Sequence, residues 1–448
     1  MTRRGSGRPG DVPGPLVSHV DQLLLLTRSA GQDAIIQGLW RFDHPLEPAT
    51  VQAVHDALGR GVLARLMERS VVPFGRPRWV AAPRPPGPDV APEPRSPDDL
   101  WDWADAQVDL PLDPERGPGW RMGVLPLTDG TTVVSVTASH CIIDGFGYFD
   151  AVARAGSGEA FPGPPLPMPD EHRAATIRAD LRQTLRDLPA VARALGQVGR
   201  SFRSRRPSGR SGVGGADRGD ELATMSTVVA MVASDDWDAR AIALGGTDRS
   251  LLMAVAARLG ERLGRARRGV STLLVPVRDL DDDPEVTANP IALARVGIAV
   301  TEAHDLPRVR AATGAAIARV RTEPDDRVLL PLVPFVPRRA VTAVSEGVLG
   351  LADDRPVNVS FLGEIPEGVL GIAGTPARWF WPRGVDRKVT SGSLARRGGV
   401  LTVHAGTLDG SLVVSVTSYQ PELANTRDAL QAVVAETLAE YGVQAEIR

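Results

Sequence analysis

The sequence predicts an α/β (α+β) protein of two lobes with mixed sheets, on three observations. Runs with strand period and runs with helix period are interspersed in both halves of the chain. Neighbouring strand runs follow one another directly, which a regular array of alternating strands and helices would not give. A segment rich in Pro, Gly and Arg separates the halves. The reading is a disordered start (1–16), an N-terminal lobe (17–158), a linker carrying a long helix and a flexible crossing segment (159–221), and a C-terminal lobe (222–448).

In the first lobe, "AIIQGLWRF" (34–42) reads as a strand and "PATVQAVHDALGRGV" (48–62) as an amphipathic helix. "RPRWVAA" is a short strand, and "DDLWDWADAQV" a helix after a proline-rich loop at 83–97. "RMGVLPL" and "TTVVSVTASH" flank the turn "TDG" as a hairpin. "DGFGYFDAVARA" opens a helix with Asp144 and Gly145 at its N-terminus. The linker carries the long helix "DEHRAATIRADLRQTLRDLPAVARALGQVGRSF", with Pro189 inside it. In the second lobe, "STVVAMVAS", "STLLVPV", "IALARVGIAV", "GGVLTVHAGTL" and "GSLVVSVTSY" are strands. "DRSLLMAVAARLGERL", "DLPRVRAATGAAIARVRT" and "ELANTRDALQAVVAETLAEYG" are helices.

Composition narrows the function. The chain of 448 residues is 43% hydrophobic, enough for sizeable cores, and its net charge of −3 argues against nucleic acid as the main partner. The single cysteine, Cys141, allows neither an internal disulfide nor a cysteine-based metal site, and no metal is expected. The first residues lack the apolar core of a secretory signal, and no apolar run is long enough to span a bilayer. A cytoplasmic protein is expected, with peripheral membrane contact left open. The cluster Arg200, Arg203, Arg205 and Arg206 reads either as a solvated linker or as a contact for an acidic carrier protein or lipid surface. No G-x-S-x-G elbow, P-loop, Rossmann fingerprint or H-E-x-x-H is present.

The chemistry-bearing stretch is "VTASHCIIDGFGYFDAV". His140 ends an alternating strand just before a helix N-terminus, whose dipole favours the neutral imidazole that a general base needs. Alternation turns Ser139 to the opposite face. Asp144 either caps the helix or pairs with an arginine from elsewhere. The spacing by itself also fits a histidine satisfied by backbone at a strand end. Cys141 diverges from His140 and reads as a core residue. His404, in "VLTVHAGTL", reads as structural, and His19 as a helix-start residue or one at a channel mouth.

"SHCIIDG" is similar to the H-H-x-x-x-D-G motif of the condensation-domain and chloramphenicol-acetyltransferase-like acyltransferases. The rest of the chain looks most like the wax ester synthase/diacylglycerol acyltransferases of that superfamily. "LVSHVDQLLLL" resembles their opening S-x-x-D segment, and "GRPRWV" and "GPGWRMGVLPLTDG" their short Trp-bearing motifs. "TDRSLLMAVAARL" resembles an N-D-x-x-L helix, "LLVPVRDL…ANPIALARV" a V-P-x-S-x-R…G-N segment, and "VNVSFLGEIPEGVLGIAG" an S-N-x-P-G-P stretch. The resemblance implies two chloramphenicol-acetyltransferase-like lobes around a central tunnel, with His140 as general base. It implies no bound cofactor, an acyl-CoA or phosphopantetheine thioester as donor, and a small alcohol or amine as acceptor. An acyl or peptidyl carrier protein is a further partner it allows. Ser139 and Gly145 belong to the motif, and Asp144 is structural, with Arg278 as its expected partner. Trp120, Asp248, Asn289 and Ser360 fall at substrate-binding positions. The departures are Ser139 for the first histidine, Thr247 for the Asn before Asp248, Gly119 before Trp120, and "SFLGEIP" for the Asn-Pro-Gly-Pro run. Two other readings stay open: a free-standing condensation enzyme that takes its donor from a carrier protein, and a catalytically silent binding homologue.

Overall fold

The computed structural model describes residues 13–29, 31–158, 166–169, 173–204, 221–278, 287–322, 326–336, 355–372 and 374–448. Most of the expected disordered start, the prolines after the first lobe and the crossing segment lie outside the described residues, as do Arg205, Arg206 and the side chains of Arg200 and Arg203.

The strands in chain order are β1 (Asp33–Phe42), β2 (Arg65–Glu68), β3 (Arg78–Ala81), β4 (Asp89–Val90), β5 (Trp120–Pro126), β6 (Thr132–Ser139), β7 (Ser226–Ala233), β8 (Val270–Arg278), β9 (Ile291–Ala299), β10 (Val357–Glu364), β11 (Trp379–Arg387), β12 (Val400–Leu408), β13 (Ser411–Tyr419) and β14 (Glu446–Ile447). They form a five-stranded sheet, β11-β1-β6-β5-β4, a seven-stranded sheet, β14-β7-β13-β12-β10-β8-β9, and the small pair β2-β3. Both large sheets are mixed. β4 runs parallel to β5, and β10 runs parallel to β8 and β12, among otherwise antiparallel neighbours.

One strand corrects the expected lobe boundary. β11 comes from the stretch assigned to the second lobe, yet it pairs with β1 from Asp33↔Arg387 to Arg41↔Trp379 and completes the first sheet. Its run "WFWPRGVDR" carries Pro382 and Gly384, which break the strand signal, and no element is expected there from the sequence. At a sheet edge a proline removes no ladder bond that a second neighbour would need. The second-half chain thus enters the first sheet and returns through β12, and the two sheets meet beside β11. Trp381 of β11 and Val413 of β13 share one apolar cluster with Leu39 and Val229.

Each sheet buries one side under helices. On the large sheet, Val357, Val359, Leu401, Val403, Val414 and Val416 pack against the helix Asp248–Arg262 and its neighbours. The alternate residues are polar: Asn358 and Ser360 on β10, Thr402 and His404 on β12, Ser415 and Thr417 on β13. On the small sheet, Trp40, Val134, Val136 and Ala138 pack under the helix Gly145–Ser157 through Tyr148, Phe149 and Val152.

Tyr148 pins that helix to the sheet by hydrogen bonds as well as by area. Its hydroxyl accepts from Gly38 N–H at 3.0 Å and donates to Val136 C=O at 2.8 Å, fully buried. A side chain at position 38 would put a Cβ 2.8 Å from this hydroxyl and 2.5 Å from Trp40, which is why glycine sits there. Tyr148→Phe keeps the shape but strands the Gly38 donor. It should lower the unfolding free energy by about 1–3 kcal/mol in urea denaturation; an unchanged midpoint would remove Tyr148 as the anchor.

Candidate active site

β6 ends at Ser139, and the chain crosses a short loop to the helix Gly145–Ser157. His140 N–H still donates to Ala34 C=O at 2.9 Å, so His140 continues the ladder for one step beyond the strand. Its own carbonyl accepts from Asn289 Nδ2 at 2.9 Å. The imidazole is half-buried. Nδ1 is enclosed with no partner among the described residues, and Nε2 is the ring nitrogen left open.

The loop is held from below by buried charge. Asp21, in the first turn of the helix His19–Ser29, is completely buried. Its carboxylate accepts from Ser18 Oγ at 2.8 Å, from Ala288 N–H at 3.0 Å and from Asn289 Nδ2 at 2.9 Å. Burial pushes this carboxyl up, against those hydrogen bonds and the nearby charge of Arg65, which pull it down. Asn289 therefore bridges Asp21, near the start of the chain, to the backbone of His140. Arg65 is buried over the ring of Trp79, 4.4 Å from its centroid, and donates through Nε and Nη2 to Ile142 C=O at 3.0 and 2.7 Å. Burial lowers its pKa to about 10, with Asp21 and Asp144 acting in the opposite direction.

Asp144 caps the helix: its Oδ1 accepts from Gly147 N–H at 2.7 Å. The cation facing it is Arg65. The expected pairing with Arg278 is corrected, because Arg278 lies at the exposed end of β8 with its guanidinium over the ring of Phe146 at 5.2 Å. Gly145 opens the helix against β10, where a Cβ would stand 3.3 Å from Leu362 Cδ2. Ser139 is fully buried, and its hydroxyl accepts from Cys141 N–H at 3.4 Å. Cys141 is buried and its thiol is pushed up to about 12, so it supplies no thiolate near neutral pH.

The second imidazole is one that the sequence reading set aside. His404 stands on β12 in register with Ser360 of β10 and Ser415 of β13, on the polar side of the large sheet. Its ring lies against Gly384 of β11, where a Cβ would come within 2.9 Å of Cε1 and 3.4 Å of Nε2. Gly384 pairs with Ile36, and Ile36 pairs with Ala138, two residues before His140. Burial first, and the charge of neighbouring His140 second, hold the His404 pKa at about 4. Strand alternation in "VLTVHAGTL" already puts His404 on a face with Thr402. What it cannot show is that a glycine from a strand of the other sheet clears space for the ring.

Of the expected substrate-binding residues, the structure brings Ser360 beside His404 and Asn289 against the His140 backbone. Two are corrected. Trp120 starts β5 and is 2% exposed, its ring 5.1 Å from that of His55 inside the first core, because it shares a face with Ala138. Asp248 starts the helix of the large-sheet core, where its carbonyl accepts from the Trp237 indole at 3.2 Å and its charge raises the Asp238 pKa alongside that residue's burial. His19 opens the helix His19–Ser29, and burial and then the charge of Arg76 hold it at about 4. Among the described residues no group of His, Cys, Asp and Glu is placed to hold a metal ion, and no helix is long and apolar enough to cross a membrane.

Two predictions follow from these contacts. Asp144→Ala removes both the cap and the charge facing Arg65, whereas Asp144→Asn keeps the cap. The alanine variant should lose about 1–2 kcal/mol more than the asparagine variant in chemical denaturation; equal losses would leave the cap without weight. His404, lowered from 6.5 to about 4 in the folded state, binds its proton in the unfolded chain first. Its contribution to stability is therefore complete above pH 6.5 and is lost as pH falls toward 4. His404→Gln should flatten the fall of unfolding free energy across that window, leaving the part due to His19. A slope identical to wild type would contradict the burial of this ring.

No protein-family model and no curated protein matches the sequence. Solved structures do match the fold. A wax ester synthase/diacylglycerol acyltransferase from Marinobacter aquaeolei VT8 aligns over 96% of this chain and 100% of its own, with 16% identity and a TM-score of 0.55. Polyketide synthase associated protein 5 from Mycobacterium tuberculosis aligns over 96% and 100%, with 15% identity and a TM-score of 0.55. The first condensation domain of the calcium-dependent antibiotic synthetase, solved with a substrate analogue, aligns over 96% and 97%, with 17% identity and a TM-score of 0.59. The chain thus has, over nearly its whole length, the α/β fold with mixed sheets that the wax ester synthase/diacylglycerol acyltransferase and the condensation domain share.

Proposed function

We propose that the protein is an acyltransferase that moves an acyl group from a thioester to an alcohol or amine. The observation that carries this reading is the open Nε2 of His140, inside the S-H-C-I-I-D-G stretch, next to a second imidazole held neutral. Likeness of fold to an acyltransferase and to condensation domains supports it.

In this mechanism the acceptor's hydroxyl or amine hydrogen-bonds to His140 Nε2. As its oxygen or nitrogen attacks the thioester carbonyl, the proton passes to Nε2. The C–S bond then breaks, and the imidazolium returns the proton to the departing thiolate. A neutral His404 leaves the transient positive charge on His140 unopposed; a second imidazolium there would disfavour it. Asn289 and Ala34 hold the His140 backbone from two sides, which fixes the base without touching its ring. The first-turn N–H groups of the helix starting at Gly145 carry the positive end of its dipole a few residues away, suited to a developing oxyanion. Cys141 takes no part, since its thiol stays protonated.

The donor is a coenzyme A or carrier-protein pantetheine thioester, and the protein needs no bound cofactor. The reading is tested by following free thiol release from a panel of acyl-CoA and acyl-pantetheinyl carrier substrates with alcohol and amine acceptors. His140→Ala should lower turnover about 10²–10⁴-fold with unchanged circular dichroism. Activity within a factor of about three of wild type would take His140 out of the mechanism. Thiol release from no donor by the wild type would favour a silent binding protein.

A further inference from the structure

The helix Arg173–Ser204 is outwardly unlike the other helices. Its inward side is well secured: Asp180 accepts from Arg78 Nε at 2.6 Å and from Ser70 Oγ at 2.5 Å, and Ala194 is fully buried. Its outward side is apolar. Ile177, Leu181, Leu185, Leu188 and Leu195 are all exposed, Leu181 at 53% and Leu185 at 59%. At about 100° per residue these five lie in one stripe roughly 80° wide. Arg178, Arg182, Arg186 and Arg193 follow in a parallel row beside it, all exposed. The described acids of the helix, Asp180 and Asp187, sit on the inward side, Asp187 accepting from Gln183 at 2.9 Å.

A second group of exposed apolar side chains borders the same helix. The 3-10 segment Asp326–Phe335 packs along it, and Phe335 stacks on Phe74 with ring centroids 4.7 Å apart. Both rings are exposed, as is Val71 in the loop whose Ser70 binds Asp180. Phe74 sits at φ 63°, a conformation that a bulky residue rarely adopts and that here holds the ring outward. Eight of the fifteen exposed large apolar side chains among the described residues lie on this helix or on the two segments beside it.

From this face we infer a docking surface for an anionic lipid membrane, with the helix lying in the plane of the interface. The pattern fits the chemistry of that boundary. An apolar stripe sinks to the acyl chains, a row of guanidiniums beside it meets lipid phosphates, and two aromatic rings lie at headgroup depth. From Ile177 to Leu195 the stripe runs about 27 Å. A second copy packed antiparallel on the stripe would bring one arginine row up against the other, whereas anionic headgroups neutralise the row.

The test is flotation of the full chain with vesicles of phosphatidylcholine and phosphatidylglycerol, against vesicles of phosphatidylcholine alone. The chain should float with the mixed vesicles and dissociate as salt rises to about 0.5 M. Leu181→Glu with Leu185→Glu should lower partitioning by more than about tenfold, at unchanged circular dichroism and melting temperature. Arg182→Gln with Arg186→Gln should lower it about fivefold per arginine on the mixed vesicles and leave phosphatidylcholine binding unaltered. Failure to float with either vesicle would overturn the inference, as would flotation indifferent to both double variants. So would a wild-type dimer in light scattering that the glutamate variant renders monomeric, since a second copy would then cover the stripe.

Discussion

Asp21 is the residue on which the arrangement turns. A buried carboxylate must be answered by hydrogen bonds and charge, and this one is answered from two remote parts of the chain. The Ala288 N–H and Asn289 come from 267 and 268 residues away, and Arg65 brings the opposing charge. Because Asn289 also donates to the His140 carbonyl, satisfying Asp21 and placing the histidine are one event. Arg65 completes the frame by gripping the Ile142 carbonyl on the far side of the same loop. The loop that carries the proposed base is thereby fixed by groups that meet only when both halves of the chain are folded.

The meeting of the sheets adds the second feature. β11 leaves the second half to complete the first sheet, and β12 returns beside it. The absence of a side chain at Gly384 lets the His404 ring approach the first sheet near His140. The polar side of the large sheet and the end of β6 then face each other across this junction, with Ser360 and Leu362 of β10 at its margin. His140 stands half-buried at that junction rather than within one packed core. This is the physical content of the acyl-transfer reading.

Much of this was legible in the sequence, and what was not has identifiable causes. β1, β6, β12 and β13 have strong alternation, and the helices at 48, 145 and 248 have caps or prolines that announce them. The mixed sheets and the capping option for Asp144 both follow from such local rules. β11 does not, since Pro382 and Gly384 break the strand signal and only an edge position makes them tolerable. Asn289 stands in a motif, but its bridging contact is hidden from the sequence because its partner Asp21 is remote. Trp120 falls at a substrate position by motif likeness alone, while the pleat directs it into the first core. His404 carries a visible polar-face signal, and what raised its importance was a glycine on a strand that the sequence did not announce.

The central claim, that one buried hydrogen-bond chain joins the two halves at His140, is tested most directly by a double-mutant cycle. Unfolding free energies would be measured for Asp21→Ala, Asn289→Ala and the double variant. Groups within one network do not add, so the coupling energy should exceed about 1 kcal/mol, the double variant losing less than the sum of the singles. Additivity within about 0.5 kcal/mol would show two independent sites and contradict the account.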